Sequence, residues 1–157
     1  MRAFHLLALL AILSPSGFAQ SRASSREGVR MEDEQLVAYE RAIAPYVAKA
    51  RAAYPAAKKR FLAGLPRGYL FAVMVRLHGV DHTKKEVQQA DVFVEVHGIR
   101  NGKIYGRINS PVSIVGHKEG DLISFPESEI MNWVIQRPDG SEEGNYVGKF
   151  TDHYKPK

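Results

Sequence analysis

Hydrophobic and polar positions change period partway along the chain, and the change separates a helical region from a strand region. From Glu32 to Ala44 the apolar positions recur every three or four residues, as on one face of a helix. Pro45 and Pro55 each favour the start of a further helical piece, and Gly64 is a typical C-terminal cap. Because proline lacks the N–H that a helix interior needs, the pattern predicts segmented helices rather than one long helix.

From Gly68 onward the pattern changes to a period of two, which is typical of strands: Phe71, Val73, Val75 and Leu77 fall on one face of residues 69–78, and Val92, Val94 and Val96 share one face of residues 91–99. Asn101-Gly102 predicts a tight hairpin, because both residue types tolerate a positive φ. Residues 79–89 are polar and are interpreted as an exposed loop, and residues 142–150 hold too many glycines for an assignment. The predicted strands cover residues 69–78, 91–99, 104–109, 122–125 and 130–136, with a short edge segment at 112–115.

These elements predict an α+β fold in which N-terminal segmented helices pack on a twisted antiparallel sheet of about five strands. With 157 residues, 45% hydrophobic and 25% charged, the chain has the size and composition of one globular domain. It contains no cysteine, which excludes disulfides, a thiolate nucleophile and cysteine-bound metals. Stability must therefore come from packing alone.

The first 19 residues have the pattern of a secretory signal peptide. Arg2 gives a positive start, residues 6–13 are wholly apolar, and Gly17 and Ala19 supply small residues at the positions that a signal peptidase reads. We expect cleavage after Ala19, which makes the protein periplasmic or secreted. The apolar run is shorter than the roughly 20 residues of a membrane-spanning helix, so we expect no stable membrane insertion after cleavage; an uncleaved anchor is the alternative.

The rest of the chain is interpreted as a flexible leader at residues 20–30, a single α+β domain at residues 31–150 and a polar tail at residues 151–157. Without Arg2, the mature chain carries 21 basic and 17 acidic residues. This small excess and the lack of an aromatic and basic stripe argue against a nucleic acid as partner.

An ordered series of residues in the second half of the chain resembles a known family. Its members are Gly106, Asn109 with Pro111, Gly120-Asp121, Ile130 with Trp133, and Gly144-Asn145-Tyr146. The series resembles the YegJ-like bacterial domain-of-unknown-function family (family 2314) over roughly residues 40–150. Members have an acidic residue and an aromatic before the long strand, here Asp91 and Phe93, and usually an aspartate before the tryptophan, here Asn132. The resemblance implies a shared α+β domain, often exported or attached to other modules, and it implies no activity.

Aromatic and amide side chains surround the turns that end the predicted strands, a combination that suits a peptide or sugar-like ligand. The alternative is structural: Trp133 would anchor the core, while Asn109 and Asp121 would cap turns through side-chain to backbone hydrogen bonds. The candidate binding residues are Tyr105, Asn109, Asp121, Trp133, Asn145 and Tyr146.

No set of residues predicts a metal site, a cofactor or a catalytic group. His78 and His82 have the spacing of two ligands on one helical face, but they fall in a predicted strand end and loop, where that spacing has no meaning. No serine lies in a G-x-S-x-G turn. Alternating strands usually place carboxylates in water, which argues against an acid and base pair. The carboxylates available for such a pair are Glu95, Asp121, Glu127 and Glu129.

The sequence therefore favours a non-enzymatic binding or interaction module of the bacterial cell envelope, with a protein segment or a cell-wall component as its ligand. One alternative is a small envelope hydrolase that uses a glutamate or histidine near the Asn109 to Trp133 loops. A structural or stress-related accessory protein is a third interpretation.

Overall fold

The computed structural model describes residues 33–84 and 86–155. The predicted signal peptide and leader, and the last two residues of the predicted tail, lie outside this part of the chain. Its elements, in order, are α1 (Asp33–Ala63), β1 (Leu70–Asp81), β2 (Glu86–Arg100), β3 (Lys103–Ile108), β4 (Leu122–Pro126), a 3-10 turn (Glu127–Glu129), β5 (Asn132–Gln136), β6 (Glu142–Gly144) and α2 (Tyr146–Thr151). The predicted α+β class is confirmed, with six strands where about five were expected.

The six strands form one antiparallel sheet in the order β4-β3-β2-β1-β5-β6. Val73 in β1 lies opposite both Val94 in β2 and Trp133 in β5, so these three side chains share one face of the sheet. That face carries the main core, to which α1 contributes Ala50 and Tyr54.

α1 is one continuous helix of 31 residues that includes Pro45 and Pro55, where the sequence predicted separate segments. Each proline removes one backbone hydrogen bond and costs a helix interior about 3 kcal/mol. Both prolines are exposed, whereas Ala50, Tyr54 and Ala57 follow one another at helical spacing on the buried face. Burial of this uninterrupted face against the sheet offsets the local cost, and sequence propensity alone does not include that term.

A second, smaller core cluster lies beside α2. Its buried members are Ile43 of α1, Met74 of β1 and Val147 of α2, and Phe150 packs against them. Met74 points to the face opposite Val73, because successive side chains of a strand alternate. α1 therefore contributes to both clusters, with its first half beside α2 and its second half on the main core.

β1 and β2 extend beyond their other partners as a two-stranded arm, formed by residues 75–81 and 86–92. β5 pairs with β1 only up to Met74, and β3 pairs with β2 only from Val94 onward. The prediction of a loop over residues 79–89 was therefore wrong. Polar side chains are compatible with a strand here because most side chains near the tip of the arm are exposed or half-buried. Asp81 closes the turn by accepting the N–H of Thr83.

The segment after β3 packs against this arm and contains no strand, so the predicted edge segment at 112–115 is not formed. Ile114 is buried, and the N–H of Val115 donates to the side chain of Gln88. A Cβ at Gly79 would lie 2.6 Å from the carbonyl oxygen of Val115. Glycine at position 79 therefore allows the segment to approach the arm.

Candidate functional site

The six candidate binding residues fall into separate parts of the fold. Trp133, Asn145 and Tyr146 meet where β5 approaches α2. Tyr105 lies in β3, Asn109 follows β3, and Asp121 directly precedes β4. Two strands, β2 and β1, separate β3 from β5. At a spacing of about 4.8 Å per strand, the two groups are on the order of 14 Å apart across the sheet, so the chain does not bring them into one site.

The group around β3 is engaged in local contacts. The N–H of Asn109 donates to the carbonyl oxygen of Phe93 over 2.8 Å, and the Asp121 carboxylate accepts the N–H of Lys118 over 2.9 Å. The ring of Tyr105 lies 4.0 Å from the guanidinium of Arg100. Asp121 therefore caps a turn.

Trp133 is a core residue, which answers a question that the sequence left open. Only 3% of its surface is exposed, and its indole N–H donates to the carbonyl oxygen of Ala50 over 3.0 Å. The ring of Tyr146 meets it edge on, with the ring centres 6.0 Å apart. Trp133 thus supports the position of Tyr146 and presents almost no surface of its own.

A chain of three polar side chains fixes the start of α2. The amide of Asn132, which is fully buried, donates to Asn145 over 3.0 Å, and the amide of Asn145 donates to Glu142 over 2.8 Å. Asn145 has a φ of 53°, and its side chain occupies the space that a Cβ at Gly148 would need. An aspartate at position 132 would have no N–H to donate to Asn145, which gives a physical reason for the amide.

α2, held in this way, forms an open groove with α1 that has a volume of about 430 Å³. Tyr46 and Lys49 are three residues apart on α1, and Tyr146 and Lys149 are three residues apart on α2, so each pair projects from one helical face. Of the residues around this groove, only Tyr146 was among the sequence candidates. The groove is lined by Tyr46, Lys49, Tyr146, Lys149, Phe150 and His153.

The floor of the groove is aromatic. The rings of Tyr46 and Phe150 stack with their centres 4.5 Å apart, at an angle of 22°. Phe150 also lies 5.4 Å from the ring of Tyr154, which in turn meets the ring of Tyr39 at 5.6 Å. Phe150 packs on the second core cluster from the same position, so the floor is anchored in the fold.

The rim of the groove is cationic. The ammonium nitrogen of Lys49 lies 5.0 Å from the ring centre of Tyr146, and that of Lys149 donates to the carbonyl oxygen of Gly144 over 2.9 Å. Nδ1 of His153 lies 3.0 Å from the carbonyl oxygen of Lys149. Lys49 thus places an ammonium group over an aromatic ring, and Lys149 adds a second exposed ammonium group to the same groove.

The two lysines of the rim form no ion pair in the part of the chain that the structure describes. Among the residues that the structure describes, neither Lys49 nor Lys149 has a carboxylate oxygen within 4.0 Å. Asp152 is the acidic residue nearest to Lys149 in sequence, and within the same part of the chain it forms no ion pair with either lysine. By contrast, Lys58 pairs with Glu127 over 2.8 Å. Residues 41–63 of α1 hold six basic residues and no acidic one, so the helix reinforces the positive charge of the groove.

The groups with shifted pKa values lie outside the groove. Burial raises the pKa of the Tyr54 phenol, and its hydrogen bond to Glu127 raises it further. The paired hydrogen bonds to Asp91 raise the pKa of Arg76. These two shifts come from contacts that join α1 to the 3-10 turn and β1 to β2, which is a structural role.

Within residues 33–84 and 86–155, no three histidine or acidic side chains converge as metal ligands would. The same residues include no helix with the length and hydropathy required to cross a membrane.

The comparisons with known proteins add no assignment. No family model matches the chain, and neither a curated protein nor a solved structure matches it. The resemblance to the YegJ-like family therefore depends on the residue pattern of the second half of the chain alone.

Proposed function

We propose that this protein is a non-enzymatic binding module of the bacterial cell envelope and that the groove between α1 and α2 is its ligand site. One observation carries the proposal: aromatic rings line the same open groove as two lysines that have no acidic partner within residues 33–84 and 86–155. Solvent-accessible aromatic surface beside polar groups is typical of binding surfaces. The volume of about 430 Å³ lies within the range of ligand pockets in proteins.

The hydrolase alternative has less support. Both carboxylate oxygens of Glu127 are bonded, one to the Tyr54 phenol over 2.9 Å and the other to Lys58 over 2.8 Å. Asp121 is bonded within its own turn. A general acid or base needs reach to a substrate atom, and these two groups are already committed to the fold.

Export is part of the same proposal, because the signal-peptide pattern and the family resemblance both favour it. The chain expressed with its own first 19 residues should give a product whose intact mass begins at Gln20. A product that keeps Met1 and sediments with membranes would contradict export and support an uncleaved anchor.

The groove is tested by retention of envelope components on immobilised mature protein. The double variant Tyr46→Ser/Lys49→Ser removes one ring and one cation from the groove on exposed positions of α1. Lys59→Ser/Leu62→Ser is a matched control, because it removes a lysine and a large apolar side chain with the same spacing from exposed positions farther along α1.

We expect a component of a periplasmic extract to be retained by the wild type and by the control, and to be lost with the groove variant, at unchanged circular dichroism. Equal loss with both double variants would mean that α1 contributes only general adhesiveness. Retention by all three proteins would show that the retained component binds outside the groove.

A further inference from the structure

The groove combines positive charge with an aromatic surface, and the two together restrict which ligands it can bind. Its rim carries Lys49 and Lys149 without acidic partners in the described part of the chain, and its floor carries the stacked rings of Tyr46 and Phe150. A complementary ligand therefore presents negative charges on either side of an apolar group.

We propose that the occupant is an acidic, extended segment of a partner protein, in which carboxylates lie at Lys49 and Lys149 and an apolar side chain covers the rings of Tyr46 and Phe150. This inference rests on the proposed binding function of the groove. Each carboxylate would gain a charged hydrogen bond at the rim, and the apolar side chain would remove ring surface from water.

The chain's own undescribed stretches do not fit this role, by composition alone. Residues 1–32 contain four arginines and two glutamates, and the last residue is Lys157. Net positive stretches are a poorer electrostatic match for the rim than an acidic segment of another protein, which is the occupant that we propose.

A uniform polyanion is the competing ligand class, and the groove suits it less well. The cations of the rim are separate ammonium groups beside rings, and a phosphate polymer has no apolar group to cover the stacked Tyr46 and Phe150. A peptide that alternates carboxylates with an apolar side chain covers both features.

The test uses three probes on the mature chain. The first is a capped Glu-Glu-Phe-Glu-Glu peptide, the second is the matched Gln-Gln-Phe-Gln-Gln peptide, and the third is inorganic polyphosphate. Binding is followed by amide chemical shifts in the nuclear magnetic resonance spectrum. We expect the glutamate peptide to shift the amides of Tyr46, Lys49 and Lys149, and to bind about tenfold more tightly than the glutamine peptide.

Two double variants test whether the lysines of the rim bind the glutamate peptide. Lys49→Glu/Lys149→Glu should abolish binding of the glutamate peptide, whereas Lys59→Glu/Lys103→Glu, with the same change of net charge at exposed positions outside the groove, should retain it. Raising the salt to about 1 M, where the Debye length is about 3 Å, should weaken binding by the wild type.

The possible failures separate the two proposals. Equal binding of both peptides at the groove would overturn the acidic occupant and keep the binding module. Polyphosphate binding at the groove without peptide binding would do the same and assign a polyanion. If none of the probes shifts the groove amides and the retained envelope component ignores the Tyr46→Ser/Lys49→Ser variant, both proposals fail.

Discussion

The indole of Trp133 joins the sheet to α1 by packing and by one hydrogen bond. Trp133→Ala should lower the free energy of unfolding by about 3–5 kcal/mol, because it leaves a large cavity under Ala50. Trp133→Phe keeps most of the ring and loses the N–H, so it should cost less.

Urea unfolding followed by circular dichroism measures both values, since the chain has no other tryptophan to report by fluorescence. A cost near zero for the alanine variant would contradict the buried position of the ring.

Tyr54 makes stability depend on alkaline pH. Burial and the neighbouring Glu127 raise the pKa of its phenol above the unfolded value of about 10. The folded chain therefore keeps this proton where the unfolded chain loses it, so the contribution is fully present below about pH 10 and is lost as the pH rises further. At pH 8 we expect the free energy of unfolding of the wild type to exceed that of Tyr54→Phe by about 1 kcal/mol, because the variant lacks the hydrogen bond to Glu127. This difference should shrink toward pH 11.

Urea unfolding at a series of pH values tests this dependence. A difference between the two proteins that stays constant over the whole range would assign the alkaline sensitivity to other groups.

Single residues could be predicted from the sequence where their role is local. Asp121 caps a turn as the structural alternative proposed, because its partner, Lys118, lies only three residues away. The groove could not be predicted in this way. Tyr46 and Phe150 are about one hundred residues apart, and on α1 alone Tyr46 and Lys49 resemble an ordinary solvated helix surface.

At the scale of elements, the same division between local and distant causes applies. Asn101 and Gly102 have φ values of 52° and 69°, so the predicted hairpin is confirmed; its turn chemistry is contained in two residues. The continuous α1 and the strands of the arm depend on partners far along the chain. α2 was not predicted, because Gly148 lowers its helix propensity and its position depends on Asn132 and Asn145.

The arm gives an alternating pattern of amide protection. The carbonyl oxygen of Phe93 accepts the N–H of Asn109, so the backbone of Phe93 faces β3. In the register of β1 with β2, the N–H groups of Leu77 and Gly79 therefore point toward β2. The N–H groups of Arg76, His78 and Val80 point the other way, toward the edge of β1 that β5 does not reach.

Native-state hydrogen exchange should therefore be slow at Leu77 and Gly79 and fast at Arg76, His78 and Val80. Equal protection along residues 76–80 would mean that another segment covers this edge of β1.

At the scale of the whole molecule, α1 connects the parts that matter for function. Its second half packs on the main core through Tyr54, and its first half meets α2 through Ile43 and forms one wall of the groove. The groove therefore exists only when both core clusters are formed. Loss of the Trp133 ring should weaken ligand binding indirectly, because the support under Tyr146 is lost.

Two exposed backbone edges, the outermost strand β4 and the β1–β2 arm, differ in how readily they can pair with a neighbouring molecule in concentrated solution. Pro126 removes a backbone donor from the outermost strand, β4. Among the described residues, by contrast, no strand pairs with the outer edges of the arm beside Val80 and Val87, which are 46% and 73% exposed. Self-association of concentrated protein should therefore begin at the arm. His78→Pro would remove one N–H donor from the open edge of β1 and keep the hydrogen bonds between β1 and β2. It offers a route to higher solubility that leaves the groove unchanged.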